Sequence, residues 1–264
     1  MAPVEQSVAS GDTRGTEAEA RLRVAAALVT TGSGPIASEV LRCLREQCDL
    51  RCVVFSQAPR KTTRWQRVRE YGLWYSVQFI YSRLRGMLSG TRIRREVLDA
   101  WGVEQSDWTS PDQEGDIVAL LKRQGVSLVV VCGLQFKVSD AFIKACDVCV
   151  NVHPSLLPEY RGPEPVVWGL LDRAQHFGVT LHHMDAGFDT GDVVAQAQVD
   201  GRGVRSVYEV EKRLSERVPG LIEGLVAGYR QGDVPRTPQT GGEYLSRPTL
   251  ERRRTRREAG QQAK

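Results

Sequence analysis

The sequence predicts an α/β protein built on a mixed, mostly parallel sheet flanked by helices. Three observations predict it. Short apolar runs that suit strands buried on both faces alternate with segments whose apolar residues recur at helical spacing. A glycine-bearing turn joins the first run to the first helix, the opening of a Rossmann-like βαβ unit. Late in the chain two strand-like segments follow one another with only an acidic loop between them, which marks an antiparallel pair.

The run from Leu22 to Gly32 reads as the first strand, and SGPIASEVLRCLREQ behind it sets Ile36, Val40, Leu41 and Leu44 on one helical face. Leu50 to Ser56 is the next parallel strand. In WQRVREYGLWYSVQFIYSRLRGML apolar residues recur every third or fourth position, which predicts a helix with one face packed and the other rich in arginine. A helix from about Asp116, a break at Gly125 and a buried strand from Leu128 to Cys132 resume the alternation. Ser139 caps a short helix, and a strand of about Val148 to Val152 then runs into NVHPSLLPEYRG. A helix near Pro165 to Asp172, the strands GVTLHHMD and VVAQAQVDG, and one long helix from about Ser206 to Tyr229 complete the plan. Residues 1–21 lack the apolar core of a secretory signal and read as a disordered leader. Residues 22–249 read as one domain with a basic, aromatic insertion at about 58–95, and the charged residues 250–264 as a disordered tail.

Composition excludes several classes. Apolar residues at 41% and charged residues at 26% fit an ordinary soluble globular chain. No run approaches the roughly 18 apolar residues of a membrane helix, so no membrane partner is predicted. The formal charge of +4 comes from residues 250–264, with six Lys/Arg against two Asp/Glu; the remainder balances to zero, which gives no support to a nucleic-acid partner. That remainder is uneven, because 58–95 hold ten Lys/Arg and one acid, Glu70. The segment reads either as a solvated helical insertion or as a lid whose arginines hold a phosphate or carboxylate of a substrate. Its Tyr71, Trp74, Tyr75 and Phe79 are available to stack on a ring or to pack. Six cysteines sit in apolar contexts. Cys146 and Cys149 form a CxxC without a second pair or a nearby histidine, so buried free thiols in a reducing cytoplasm are expected, with no metal.

In an open α/β sheet, chemistry gathers beyond the carboxyl ends of the strands. That predicts convergence of the loops at 30–35, 133–139, 151–162 and 185–192. In TTGSGPIAS, Gly32 and Ser33 offer backbone N–H groups at a helix N-terminus, a place for an anion. The stretch lacks GxGxxG and a Walker lysine, so it does not support dinucleotide or nucleoside triphosphate binding, and a plain tight turn accounts for it equally well. At the end of the 148–152 strand, Asn151 and His153 fall on the same side, so one can donate to an oxygen while the other moves a proton. Pro154 and Pro158 stiffen the turn around them, and a structural His–Pro turn is an even alternative. In GVTLHHMDAGFDTGD, Asp185, Asp189 and Asp192 lack EF-hand spacing. They form either a solvated hairpin loop or the source of a carboxylate that completes an acid–base set.

The ordered pair NVHPSLLPEYRG and GVTLHHMDAGFDTGDVVAQ, with Asn151 and Asp189 38 residues apart, resembles the folate-dependent formyltransferases. That group includes glycinamide ribonucleotide, methionyl-tRNA and sugar-nucleotide formyltransferases, and the similarity runs roughly from Leu22 to Val199. The resemblance implies the formyltransferase fold, and transfer of a formyl group from 10-formyltetrahydrofolate to an amine. It implies Asn151, His153 and Asp189 as the catalytic set: Asn151 and protonated His153 stabilise an oxyanion, and Asp189 orients His153 or a water. It implies a donor pocket at Leu134, Gln135, Phe136, Lys137 and Val138, and at Asp185, Ala186, Gly187 and Phe188, read largely through backbone groups. Ser155, His182, Gly32 and Ser33 take supporting or substrate-binding places. TTGSGPIAS departs from the Ser-Gly-Asn-Gly-Ser-Asn phosphate loop of the glycinamide ribonucleotide enzymes. The roughly 70 residues after the acidic loop leave no room for the C-terminal barrel of the methionyl-tRNA enzymes. Size and the stretch YRGPEPVVWGLL bring the chain nearest to sugar and natural-product N-formyltransferases. The expectation is therefore a cytoplasmic enzyme acting on a small-molecule amine, such as an amino sugar, a nucleotide-linked sugar or a biosynthetic intermediate, with a homodimer left open. The alternatives are a formyltetrahydrofolate hydrolase, a methionyl-tRNA formyltransferase and a non-catalytic binding relative; the intact Asn151, His153, Asp189 set speaks against the last.

Overall fold

The computed structural model describes residues 23–57 and 63–262; the expected leader, residues 58–62 and the last two residues lie outside the described part. Seven strands form one sheet in the order β3-β2-β1-β4-β5-β6-β7. They are β1 (Ala25–Thr30), β2 (Asp49–Ser56), β3 (Glu104–Trp108), β4 (Leu128–Cys132), β5 (Val148–His153), β6 (His176–His183) and β7 (Val193–Asp200). β1 to β5 are parallel, while β6 pairs antiparallel with both β5 and β7. The mixed, mostly parallel α/β architecture read from the sequence is the observed one. Strand order reverses direction between β1 and β4, so the crevice beyond their carboxyl ends is where such a sheet holds a ligand.

Apolar strands need cover on both faces, and helices supply it. α1 (Pro35–Gln47) buries Ile36, Val40, Leu41 and Leu44 on one face of the sheet, where α7 (Val207–Ser215) and α8 (Val218–Gln231) join it. α4 (Glu114–Arg123) and the short α5 (Asp140–Ile143) cover the other face with Ile117, Leu120, Leu121 and Phe142. β1 and β4 run between these layers almost fully buried. α6 (Pro165–Leu171) starts just after the loop that follows β5.

The structure departs from the sequence reading in four places. β3, with the sequence EQSDW, is an edge strand whose polar composition carries no strand signal; pairing with β2 makes it a strand. The single helix from Ser206 to Tyr229 is two, α7 and α8, divided just before Pro219, which lacks the N–H that a continuous helix would use. The tail is helical over Leu250–Gln262 (α9) rather than disordered: Arg253 donates to the Tyr71 carbonyl, and Arg256 bridges Asp172 (3.0 Å) and Glu243 (2.8 Å).

The fourth difference concerns α2 (Arg64–Leu88), which begins at a Thr63 capping box with Gln66 and bends at Gly72. Its packed face is the polar one. Gln78 bonds the Arg205 carbonyl and the Val207 N–H at the start of α7, Tyr75 and Ser76 are buried, and Arg85 stacks on Tyr208. Its outer face is apolar, not arginine-rich. α3 (Arg95–Ala100) follows and leads to β3.

Candidate active site

β5 delivers Asn151 and His153 to the carboxyl edge of the sheet, with β6 beside it in antiparallel register so that Asn151 lies opposite His182. The loop from β6 to β7 then places Asp189 over this pair. Asp189 sits at φ 55°, a left-handed conformation that Asp tolerates better than most residues. Gly191 permits the loop to fold back, since a Cβ there would lie 1.9 Å from the His183 carbonyl oxygen.

Three side chains address one carboxylate oxygen. Asp189 Oδ1 lies 3.3 Å from Asn151 Nδ2, 3.5 Å from His153 Nδ1 and 3.6 Å from His182 Nε2. Its other oxygen accepts from the Gly162 N–H at 2.9 Å. Hydrogen-bond partners decide which ring nitrogen of each histidine carries a hydrogen. His182 Nδ1 is 2.9 Å from the His183 carbonyl, so it carries the hydrogen and Nε2 accepts from Asn151 Nδ2 at 3.1 Å. His153 Nε2 donates to the Tyr160 carbonyl at 3.1 Å, which leaves the Nδ1 lone pair facing the site. Both amide hydrogens of Asn151 are thus turned toward acceptors, the longer and weaker bond being that to Asp189. Of the two adjacent histidines, His182 faces the site, while His183 turns to the Pro235 carbonyl.

Burial lowers the pKa of His153 and Asp189 pulls it partly back, so the ring is neutral at pH 7. Burial also works against the Asp189 carboxylate. The charged form that His153 takes in acid, the His182 ring and the Gly162 N–H outweigh it and bring its pKa down to about 2. The site therefore holds a permanent anion beside a buried, unprotonated imidazole nitrogen.

A strap from the C-terminal part of the chain locks the loop after β5. Leu245 N–H donates to the Arg161 carbonyl at 2.7 Å, Arg161 Nη2 to the Gly242 carbonyl at 2.8 Å, and Trp168 Nε1 to the Ser246 carbonyl at 3.0 Å. Gly162 lies under it at φ 103°, and a Cβ there would stand 2.4 Å from the Leu245 carbonyl oxygen. Gln239 reaches the Gly191 carbonyl at 2.6 Å and closes the strap over the acidic loop.

The remaining predicted residues divide by direction. Leu134 and Phe136 are half-buried against the core and Val138 is buried; Gln135 and Lys137 are exposed. Lys137 Nζ lies 5.9 Å from the ring centre of Phe188, which brings the loops after β4 and β6 together as one rim. Ala186 and Phe188 are exposed on that rim, whereas Asp185 is occupied by the Gly187 N–H and the Thr190 hydroxyl. The two loops thus form a partly apolar rim. Ser155 is a turn residue, its hydroxyl donating to the Glu159 carbonyl at 2.7 Å. Gly32 and Ser33 are held by the 91–93 segment: Ile93 N–H donates to the Gly32 carbonyl, Ser33 bridges Arg92, and Gly34 N–H is taken by the Thr91 carbonyl.

Sequence reasoning missed a second group of carboxylates. Glu164, at φ 64° before α6, accepts from the Tyr75 hydroxyl at 2.9 Å; burial raises its pKa, with Tyr75, Arg247 and Arg67 pulling back. Burial and then Glu164 raise that of Glu211 on α7 to about 7. Its carboxylate lies 3.6 Å from where a Cβ on Gly34 would stand. Both are largely enclosed by protein yet remain half-buried rather than sealed from solvent. The one sequence signal was an acid set between Pro163 and Pro165 in YRGPEPVVWGLL.

A family model described as Formyl transferase matches residues 50–222. The chain belongs to the formyl transferase family. Methionyl-tRNA formyltransferase of Syntrophus aciditrophicus is 36% identical over 104 residues, covering 39% of this chain and 33% of that protein. The chain thus spans about a third of the length of the curated relative it matches. Glycinamide ribonucleotide transformylase 1 from Symbiobacterium toebii superposes with a TM-score of 0.59 at 19% identity, covering 83% of this chain and 94% of that one. A 4-N formyltransferase from Francisella tularensis superposes at 0.57 and 15% identity, covering 88% and 78%. These two share the formyl transferase fold with the present chain.

Proposed function

We propose that this chain transfers a formyl group from 10-formyltetrahydrofolate to a primary amine of a small molecule. The observation that carries this reading is the convergence of Asn151, His153 and His182 on Asp189 beyond β5. The donor supplies an acyl carbon already activated by its attachment to a folate nitrogen, and the rim at 134–138 and 185–188 is where this chain would hold it. As the amine attacks, negative charge develops on the formyl oxygen. The Asn151 N–H that rests on Asp189 at 3.3 Å is the donor free to move to it. His153 Nδ1 takes the proton released by the attacking nitrogen. The resulting imidazolium is stabilised by Asp189 at 3.5 Å and returns the proton to the departing nitrogen. A protonated His153 therefore belongs to the middle of the reaction rather than to its start.

Two observations favour a small amine without a phosphate at the first turn. The N–H of Gly34 is already taken there, and Glu211, with its pKa raised to about 7, stands against that turn and offers no positive charge to an anion. The carboxylates of Glu164 and Glu211 instead suit an ammonium or hydroxyl-rich acceptor. The test is incubation with 10-formyltetrahydrofolate and a panel of amino sugars and other amines, following folate absorbance and product mass. Formate release without any formylated amine would replace transfer with hydrolysis. Unchanged turnover in His153→Ala and Asp189→Asn would remove the mechanism altogether.

A further inference from the structure

The geometry points to a peripheral membrane-binding surface on α2, seated on anionic phospholipid through an apolar face. This inference stands apart from the formyl-transfer reading and rests on what α2 shows to solvent. Beyond the Gly72 bend, Leu73, Val77, Ile80, Leu84 and Met87 recur at intervals of four and three and form one stripe, with Trp74, Tyr81 and Leu88 along one side. All eight are exposed, Leu73 at 70%, Met87 at 66% and Leu88 at 82%. At 3.6 residues per turn they occupy an arc about 140° wide. The opposite side of the helix carries Tyr75 and Ser82 and faces the protein. A helix that packs its polar side and shows its apolar side to water is inverted relative to the usual surface helix, whose apolar stripe faces the core.

Charge decides what covers this face. Arg83 stands at one margin of the arc, with a long side chain able to lie along the apolar surface and hold its charge at the edge, while Arg85 at the other margin stacks on Tyr208. Arg69 and Arg92 are exposed nearby, as is Arg94 beside Glu96 (3.8 Å), and α9, packed at the Gly72 bend, adds exposed Arg252 and, beside Glu258 (3.7 Å), Arg254. Arg83 at the margin and Arg69 and Arg92 beside it would meet their own copies if α2 of a second chain were laid against this face, bringing like charges together. An anionic bilayer supplies both what the stripe needs and what the arginines need. Trp74 and Tyr81 are residue types that settle at the headgroup level. Among the described residues no helix is long and apolar enough to cross a membrane, so α2 lies in the interface rather than through it. The expectation of no membrane partner rested on the lack of a spanning run, and an interfacial helix requires none.

The test is co-sedimentation of the full chain with vesicles of phosphatidylcholine alone and of equal parts phosphatidylcholine and phosphatidylglycerol. Binding is expected on the mixed vesicles, weakened by salt, with a blue shift of tryptophan fluorescence that Trp74→Phe diminishes. Ile80→Ser with Leu84→Ser should lower partitioning on the order of a hundredfold. Arg83→Gln with Arg94→Gln, which leaves the apolar stripe whole, should lower it about thirtyfold. All four positions are exposed, so unchanged melting temperatures verify that the variants fold. Partitioning that survives both double substitutions overturns the assignment. So does a lipid-free dimer in sedimentation velocity that Ile80→Ser with Leu84→Ser dissociates, since a second copy would then own the face.

Discussion

Asp189→Asn removes the one negative charge that His153 and His182 both approach, and it should change the pH profile as well as the rate. Burial holds the His153 pKa below 6.5 and Asp189 raises it partly back. A base must be unprotonated to act, so kcat/KM in the parent enzyme should be level near pH 7 and fall only as pH drops through that lowered value. Without the carboxylate the upward pull is gone, and the acid limb should move to lower pH while kcat falls by about 10²- to 10⁴-fold. A limb that stays in place would show that another group titrates. Asn151→Ala removes the donor to the developing charge and should lower kcat by about 10²- to 10³-fold with donor binding little changed, as single-turnover kinetics would show. At this scale the sequence was informative where residue types and spacing together imply chemistry, as with Asn151, His153 and Asp189. It was silent on Glu164 and Glu211, because a carboxylate becomes unusual only when tertiary packing encloses it. Glu164 acquires its partner from Tyr75, 89 residues away.

The elements carry predictions of their own. Tyr75→Phe leaves the Glu164 carboxylate without its hydroxyl donor, and should raise the KM for the amine while leaving that for the folate donor unchanged. An equal rise in both would place α2 outside the acceptor side. Gly162→Ala forces a left-handed alanine against the Leu245 carbonyl and the Tyr244 ring, and should cost about 3 kcal/mol, read as a lower urea midpoint at constant slope. Buried parallel strands such as Leu128–Cys132 were readable because cover on both faces demands an unbroken apolar run. β3 was not, since an edge strand is defined by its neighbour more than by its residues. The helical period of α2 was readable too. Periodicity identifies two unlike faces of a helix but not which one turns inward, and here the inward choice was made by Gln78 on the α7 terminus and Tyr75 on Glu164.

For the molecule as a whole, α9 ties the distal end of the chain to the bend of α2. Deleting residues 250–264 removes Leu250 and Arg253 from Gly72, along with the bridges from Arg256 to Asp172 and Glu243. Hydrogen exchange should then rise over 64–76 while the central strands stay protected; an unchanged pattern would show that α9 contributes nothing to the order of α2. The strap at 239–246 has a consequence during synthesis. Gly162 is translated 84 residues before Ser246, yet the loop after β5 takes its final form only when Leu245 and Gly242 arrive to bind Arg161. At about 5–20 residues per second, a ribosome leaves that loop without its clasp for about 4 to 17 s. The parallel sheet can form on the nascent chain, but Asp189 meets a settled Gly162 N–H only once residues 242–246 have been made, so products truncated before them should retain the scaffold and lack the reaction centre.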